Sequence, residues 1–296
     1  MQILVVAAPS VTVSRAFSST TANSFGTGQY LTIVSDAATD GADVLVDTSR
    51  PRPRTGNYTQ LFKKDVIVSG TMQSVAQHGG IADELEYQKQ MRLREAMRDL
   101  EKALILGRIS GNTIGSGSAT RTFRGLLQAI VTNSVVCSSI GTDFGSTTMA
   151  FFEDQVNTAI KAAWVQGGTD IDLFVCGDTV KRRFDQLNNS RVRIANDETT
   201  FRNQMVIYEC TYGIFRVMLN RWMPPHKVSM IATPRVKVVP LTGRSFHYEA
   251  VAKTGDAEKG MILGEYTAEA KNENGMATLT FTNFAPAAGE RLVQAP

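Results

Sequence analysis

The chain has little of what most enzymes use for chemistry. It carries only three histidines, His78, His226 and His247, and each stands alone. No His-x-x-x-His or Cys-x-x-Cys pair brings two metal ligands to one helix turn or loop, so no metal site is expected. Cys137, Cys176 and Cys210 are an odd set without paired spacing. They read as small core residues of a reducing compartment, neither disulfides nor ligands. No nucleophile-elbow pattern appears, and the glycines of Ser110–Ser118 are followed by no Gly-Lys-Ser/Thr, so a phosphate-cradling loop is poorly supported. Glu258 and Glu265 could act as acid and base only as any two carboxylates could, and they read as surface groups. Long apolar runs are missing too: no stretch of about eighteen could span a bilayer. Met1–Pro9 carries no basic n-region and does not read as a signal peptide. Charge of one sign is scarce, since a formal +3 does not by itself call for nucleic acid.

What is present begins with size. A chain of 296 residues suffices for one large or two ordinary domains. At this length roughly 75% of the unfolded surface is buried, so no covalent staples are needed. Its apolar fraction of 43% and charged fraction of 20% are globular values.

The dominant stretch is a helix expected from about Asp83 to Leu106. Asp83 is a candidate N-cap with Glu86 three residues on, as in a capping box, and Gly107 is the expected left-handed stop. At ~1.5 Å per residue the rod would be roughly 36 Å long. Leu93, Ala96, Met97, Leu100, Ala103 and Leu104 make one apolar stripe, while Arg92, Glu95, Arg98, Asp99, Glu101 and Lys102 fill the other faces. Such a helix is either an ordinary amphipathic helix on a sheet or a rod with a neighbour on each side.

Before it, residues 1–30 lack helical periodicity and carry one charge, Arg15, as an extended arm or a loose tail would. Gln29–Thr71 reads as a long β-hairpin, with short β-prone runs at Tyr30–Val34 and Val44–Val46 and a returning strand from Tyr58 to Ser69. The Arg50-Pro-Arg-Pro-Arg54 turn cannot be helical. Charge is segregated along it. Asp36, Asp40, Asp43 and Asp47 precede the turn, and Arg50, Arg52, Arg54, Lys63 and Lys64 follow it. A thin element of this kind has little core of its own and must lie on something.

After the helix, Phe123–Thr132 is a short apolar segment. Phe152, Val156, Ala159, Ile160 and Ala163 mark a second helix ending at Gly167-Gly168. Ile171–Val175 reads as a buried strand, and Asp178 or Thr179 caps a third helix with Val180, Phe184 and Leu187 inward. Lys181, Arg182, Arg183, Arg191 and Arg193 form a basic stretch, read as an intersubunit or lumen-facing patch. Met205–Glu209 and Phe215–Leu219 are expected to pair, Trp222 precedes a Pro224-Pro225 corner, and Val228–Ala232 and Val236–Leu241 are further strands. Ala277, Leu279 and Phe281 alternate with Thr278, Thr280 and Thr282 after an Asn274-Gly275 turn, as in a strand buried on one face.

Ordered blocks within this pattern carry a resemblance. They are Gly41-Ala-Asp43, Arg54-Thr-Gly-Asn-Tyr-Thr-Gln60, Val66-Ile-Val-Ser-Gly-Thr71, Asp83-Glu-Leu-Glu-Tyr-Gln88 and Arg98-Asp-Leu-Glu101, then Asn220-Arg-Trp-Met-Pro224, Ala252-Lys-Thr-Gly-Asp256, Gly264-Glu-Tyr-Thr267 and Asn272-Glu-Asn274. Over roughly residues 40 to 284 the set resembles the major capsid proteins of tailed bacteriophages, in particular the SU-ten-type major head proteins. The resemblance implies an α+β chain with the Hong Kong 97-type capsid fold. Its parts would be an N-terminal arm (1–27), an extended β-hairpin or E-loop (28–75), a peripheral domain (76–145) with a spine helix (83–106), an axial domain (146–235), and return strands to the peripheral domain with a C-terminal tail (236–296). Residues 1–30 lie outside the resembling blocks, and no long charged helical extension is seen there.

The resemblance further implies a structural protein without cofactor, not an enzyme. Copies would form hexamers and pentamers of an icosahedral shell around double-stranded DNA, assembled in the host bacterial cytoplasm. Partners would be a portal protein at one vertex, a separate scaffold, decoration proteins, and packaged DNA held non-specifically. Expected intersubunit residues are Asp36, Asp40, Asp43, Arg50, Arg52, Arg54, Lys63, Lys64, Lys181, Arg182 and Arg183. The fold also hosts a Lys–Asn isopeptide bond promoted by a buried Glu in some members; no Asn or Glu here can be named for it, and it is not expected. The alternative from another class is an α+β hydrolase or ligand-binding enzyme, in which a hairpin over 28–75 would have no use within one chain.

Overall fold

The structure, a computed structural model, describes residues 2–7, 10–14, 40–41, 54–75, 83–110, 120–137, 149–167, 170–189, 207–253 and 255–281. The chain divides into two units, 1–54 and 55–296. In the first, β1 (Gln2–Ala7) and β2 (Ser10–Ser14) form an antiparallel hairpin within the segment read as an arm or tail. Asp40-Gly41 is an exposed turn in which Gly41 takes a positive φ of 75°. The runs 30–34 and 44–46 lie outside the described residues.

The second unit contains two sheets. The four-stranded one consists of β3 (Gln60–Ser69), β9 (Val236–Pro240), β10 (His247–Val251) and β11 (Ala257–Ala270). β11 is its axis: it pairs antiparallel with β3 over 257–266, with β10 over 259–263 and with β9 over 266–270. The returning strand is therefore found almost where expected, but its described partner is β11. It also has a core: Phe62, Val66 and Val68 are buried, with Leu61, Lys63, Asp65 and Ile67 exposed on the other side. After β3 comes one turn of helix, α1 (Gly70–Ser74).

Across the inner face of this sheet lies α2 (Glu84–Leu106). The Asp83 carboxylate accepts from the amides of Leu85 (2.9 Å) and Glu86 (3.4 Å), so the N-cap is as expected. Glu86 completes no capping box; its carboxylate pairs with Lys89 at 3.3 Å. Leu85 and Leu93 pack on Val66, Val68 and Ile262, and Leu100, Ala103 and Leu104 pack around Phe62, Phe123 and Ala268. Ala96 is fully buried, whereas Met97 is 54% exposed and leaves the expected stripe. Phe246 and Tyr248 lie over Gly264 and Gly260 of β11, where a Cβ would collide with their rings. Aromatic cover of this kind restores packing that glycine lacks in a strand.

Gly107 ends the helix by another route than the one expected. Its φ of −52° is not left-handed. It is needed for close approach: Gly125 N–H donates to Gly107 C=O at 2.8 Å, and a Cβ on either glycine would strike the other segment's backbone or Ala103 C=O.

The six-stranded sheet runs in the order β4 (Ser134–Cys137), β12 (Ala277–Phe281), β8 (Lys227–Ile231), β5 (Leu173–Cys176), β7 (Gly213–Leu219), β6 (Ile207–Cys210). β12/β4 and β5/β7 are parallel and the other pairs antiparallel. On one face pack α4 (Met149–Gly167) and α5 (Asp178–Asn189). All five expected α4 positions and Val180, Phe184 and Leu187 of α5 are buried against Phe174, Phe215 and Phe281. The opposite face meets Ile105 of α2, Leu126 and Ile130 beside the short α3 (Leu126–Ala129), and Met223. So α2 has its second neighbour only at its C-terminal end; Tyr87 and Met91 stay exposed.

Sheet pairing parts the chain differently from the boundaries expected at 145 and 236. β9–β11 join α2's sheet, but β12 returns to the six-stranded sheet, and β4 lies there too. The corner before β12 is a left-handed Asn272 (φ 51°) and a 3-10 turn over Glu273–Gly275, not a two-residue Asn-Gly turn. β12 is also covered on both faces, so Thr278 is 4% exposed where a solvent-facing residue was expected.

Candidate functional site

The candidate residues are the side chains that hold β3 and α2 in place and the charges left uncovered beside them. The entry into β3 is held side chain by side chain. Asn57 Nδ2 donates to Ala268 C=O (2.7 Å) and Arg124 C=O (3.3 Å), and its Oδ1 accepts from Arg124 N–H at 2.7 Å. Thr267 Oγ1 donates to Tyr58 C=O at 2.8 Å. Thr59 Oγ1 donates to Glu265 at 2.5 Å, and Glu265 also meets Arg121 Nη2 (3.0 Å) and Arg244 Nε (3.1 Å). Glu265 is 5% exposed, against its reading as a surface carboxylate. A buried carboxylate is costly unless paired and hydrogen-bonded, and here two guanidiniums and a hydroxyl do both. β11 carries two other acids, Glu258 and Glu269, so nothing in the strand's own pattern singles out Glu265 except its place in a block that carries the family resemblance.

Lys63 and Lys64 point to opposite faces of β3, as strand alternation requires. Lys63 is exposed and pairs with Asp65 at 3.2 Å. Lys64 turns toward α2 and pairs with Asp99 at 2.6 Å, so it works within the subunit. Burial disfavours the Asp99 carboxylate, but Lys64, with Lys102, outweighs it and holds its pKa below the ordinary value.

The two sheets are joined where α2 ends. Lys102 Nζ lies 4.3 Å from the centre of the Trp222 ring, and Asn220 Nδ2 donates to Glu101 at 2.6 Å. Further along, Glu273 accepts from the amides of Val131 (2.8 Å) and Thr132 (3.1 Å) and from the Thr132 hydroxyl (2.5 Å). Burial works against this carboxylate too, yet these bonds lower its pKa. Arg235 pairs with Asp170 at the start of β9.

The remaining expected contact residues separate. Asp40 and Arg54 are exposed; Asp36, Asp43, Arg50 and Arg52 lie outside the described residues, as do Arg191 and Arg193. On α5, Arg182 is exposed and Arg183 half-buried, with Nη1 donating to Gln186 at 3.0 Å. Lys181 departs from the expected surface patch: it is 5% exposed and bridges Asp185 at 2.9 Å along the helix. No group of three metal-ligating side chains occurs among the described residues. No helix among them is long and apolar enough to cross a membrane.

The family model described as SU10 major capsid protein matches residues 9–283, so the likeness reaches into the first thirty residues, which the resembling sequence blocks leave outside it. The chain belongs to the SU10 major capsid protein family. It is a bacteriophage major capsid protein, a structural component of the virion shell and not an enzyme. Among solved structures it is similar to the capsid asymmetric unit of cyanophage A-1(L), with 9% identity, 75% of this chain and 77% of that one covered, and a TM-score of 0.50. Mycobacterium phage Bobi matches with 15% identity, 76% and 72% covered and a TM-score of 0.48. The procapsid of satellite phage P4, including its size determination (Sid) protein, matches with 10% identity, 88% and 82% covered and a TM-score of 0.47. At such identities the likeness concerns the fold alone, and the cyanophage match agrees with an α+β fold of Hong Kong 97 type. No curated protein sequence matches the chain.

Proposed function

We propose that this major capsid protein assembles through rings of six and five copies into an icosahedral head that encloses double-stranded DNA. The observation that carries the proposal is the family match over residues 9–283, on a chain whose two sheets leave large apolar side chains exposed. In this reading α2 is the spine of a peripheral domain made with β3 and β9–β11. The six-stranded sheet with α4 and α5 is the axial domain around the ring axes. The reaching loop then begins near residue 28 and ends at the Asn57–Thr59 clamp, shorter than the 28–75 span the sequence implied. Residues 1–27 are the N-terminal arm.

Asp36, Asp40, Asp43, Arg50, Arg52 and Arg54 contact neighbours from the loop, and Lys63, Arg182 and Arg183 from the body. Lys64 and Lys181 serve within the subunit. Portal, scaffold and decoration proteins are its further partners, packaged DNA lies against its inner surface, and assembly takes place in the host cytoplasm. Reversing Arg52 and Arg54 to Glu tests the loop contacts. Each exposed pair is worth only about 0–1 kcal/mol, but a lattice repeats it at every neighbour. Circular dichroism should be unchanged while particles, read by sedimentation, fail to form or form only at high salt. Normal particle yield at low salt would remove these charges from the contact.

A further inference from the structure

One face of the six-stranded sheet stops being covered partway across. Cα pairing sets Val175 of β5 beside Met218 of β7, and Leu173 beside Arg216, which in turn pairs with Ile207 of β6. Paired residues share a face. Val175 is 4% exposed, under the core that contains Ile105, Leu126 and Met223. Met218, one strand over on the same face, is 44% exposed; Ile214 is 64% and Ile207 58% exposed. The opposite face of this hairpin is well packed: Tyr208, Phe215 and Val217 are all buried beneath the helices. The exposed residues are thus the open end of an apolar surface that the described helices cover only as far as β5.

Two charges sit among these side chains. Arg216 lies between Leu173 and Ile207, and Glu209 pairs with Ile214. Both are exposed, and neither side chain makes an ion pair or hydrogen bond among the described residues. One unpaired cation and one unpaired anion on a single apolar hairpin face suit a partner that carries the same two charges. A second copy of this chain is such a partner.

We infer that the face of the β6–β7 hairpin formed by Ile207, Glu209, Ile214, Arg216 and Met218 is a contact between neighbouring copies, with Glu209 of one copy meeting Arg216 of the next. This rests on the shell reading above and names one of its interfaces. The apolar side chains supply the attraction and the charge pair fixes orientation, since like charges brought together would oppose the wrong register.

The test uses the full-length chain, with particles quantified by gradient sedimentation and electron microscopy and subunit folding followed by circular dichroism and thermal melting. Arg216→Glu and Glu209→Arg singly should each lower particle yield by about tenfold or more while leaving the melting temperature unchanged, because each places like charges across the contact. The double reversal should restore yield to within about twofold, as coupled charges require. Ile214→Asp should lose particles with the subunit still folded. If wild type forms no particles under any condition, the shell reading itself fails. If wild type forms particles and all four variants do so equally, or the double reversal is no better than either single, the inference is overturned. Lowered melting of the subunits with normal particle yield would place this face inside the subunit, which also overturns it.

Discussion

The two sheets solve the same packing problem with different numbers of partners. The four-stranded sheet has one covered face, so β3 alternates strictly, with Phe62, Val66 and Val68 in and Leu61, Lys63, Asp65 and Ile67 out. The six-stranded sheet lies between two cores, so β8 is buried from Val228 to Ile231 and β12 is buried at Thr278 as well as at Leu279 and Phe281. A threonine in an alternating strand does not reveal whether its face meets water or a second layer. What decides is α2, whose C-terminal end reaches over the six-stranded sheet while its length serves the other.

The largest effects should come from charges placed in the doubly covered strand. Phe281→Asp should abolish soluble folding, because an unpaired carboxylate would sit against the Phe152 ring in the main core. Thr278→Asp should be nearly as damaging, and the half-buried Thr280→Asp markedly milder, as read by soluble yield and thermal melting. Equal tolerance at 278 and 280 would break the two-layer description. In the singly covered sheet, Phe62→Ala should cost about 3–5 kcal/mol, whereas Leu61→Ala, on the open face, should stay within about 0.5 kcal/mol. Chemical denaturation of the unassembled subunit measures both.

Glu265→Gln should come next, at about 1–2 kcal/mol. It keeps an acceptor for Thr59 but removes the charge that the two arginines share. Faster proteolysis near residue 57 should accompany it if the clamp holds the root of the loop. The smallest effect concerns Lys64–Asp99. Lys64→Ala should cost less than about 1 kcal/mol and Lys63→Ala less still. The depressed pKa of Asp99 fixes the sign of its pH dependence. Its contribution is present at neutral pH, above the unfolded value, and is lost as pH falls through the folded value. The stability gap between wild type and Asp99→Asn should therefore close on acidification below the ordinary carboxylate value of 3.8.

Local pattern revealed what a single covered face imposes. The α4 stripe was legible in every position because one side of that helix lies on the sheet. Met97 was misplaced because the covered face of α2 is narrow: Leu93, Ala96 and Leu100 lie on the sheet side and Met97 falls at its edge, which spacing alone does not show. Gly107 was legible as a helix end, but its reason was not, since the constraint comes from Gly125 crossing its backbone. Glu265 could not be told from a surface acid: Arg121, 144 residues away, and Arg244 make it a buried hub. The partner of β3 was equally hidden, because register between distant strands leaves no mark in either strand. The blocks that carry the family resemblance turn out to hold these joints together: Asn57 and Thr59, Asp99 and Glu101, Asn220 and Trp222, Glu265, and Glu273.

Electron microscopy of the full-length chain after sedimentation tests the central claim most directly. Closed shells built from rings of six and five copies, with the six-stranded sheets toward the ring centres, are the predicted result. A chain that remains a folded monomer at every concentration and ionic strength, with or without a scaffold protein, would contradict it.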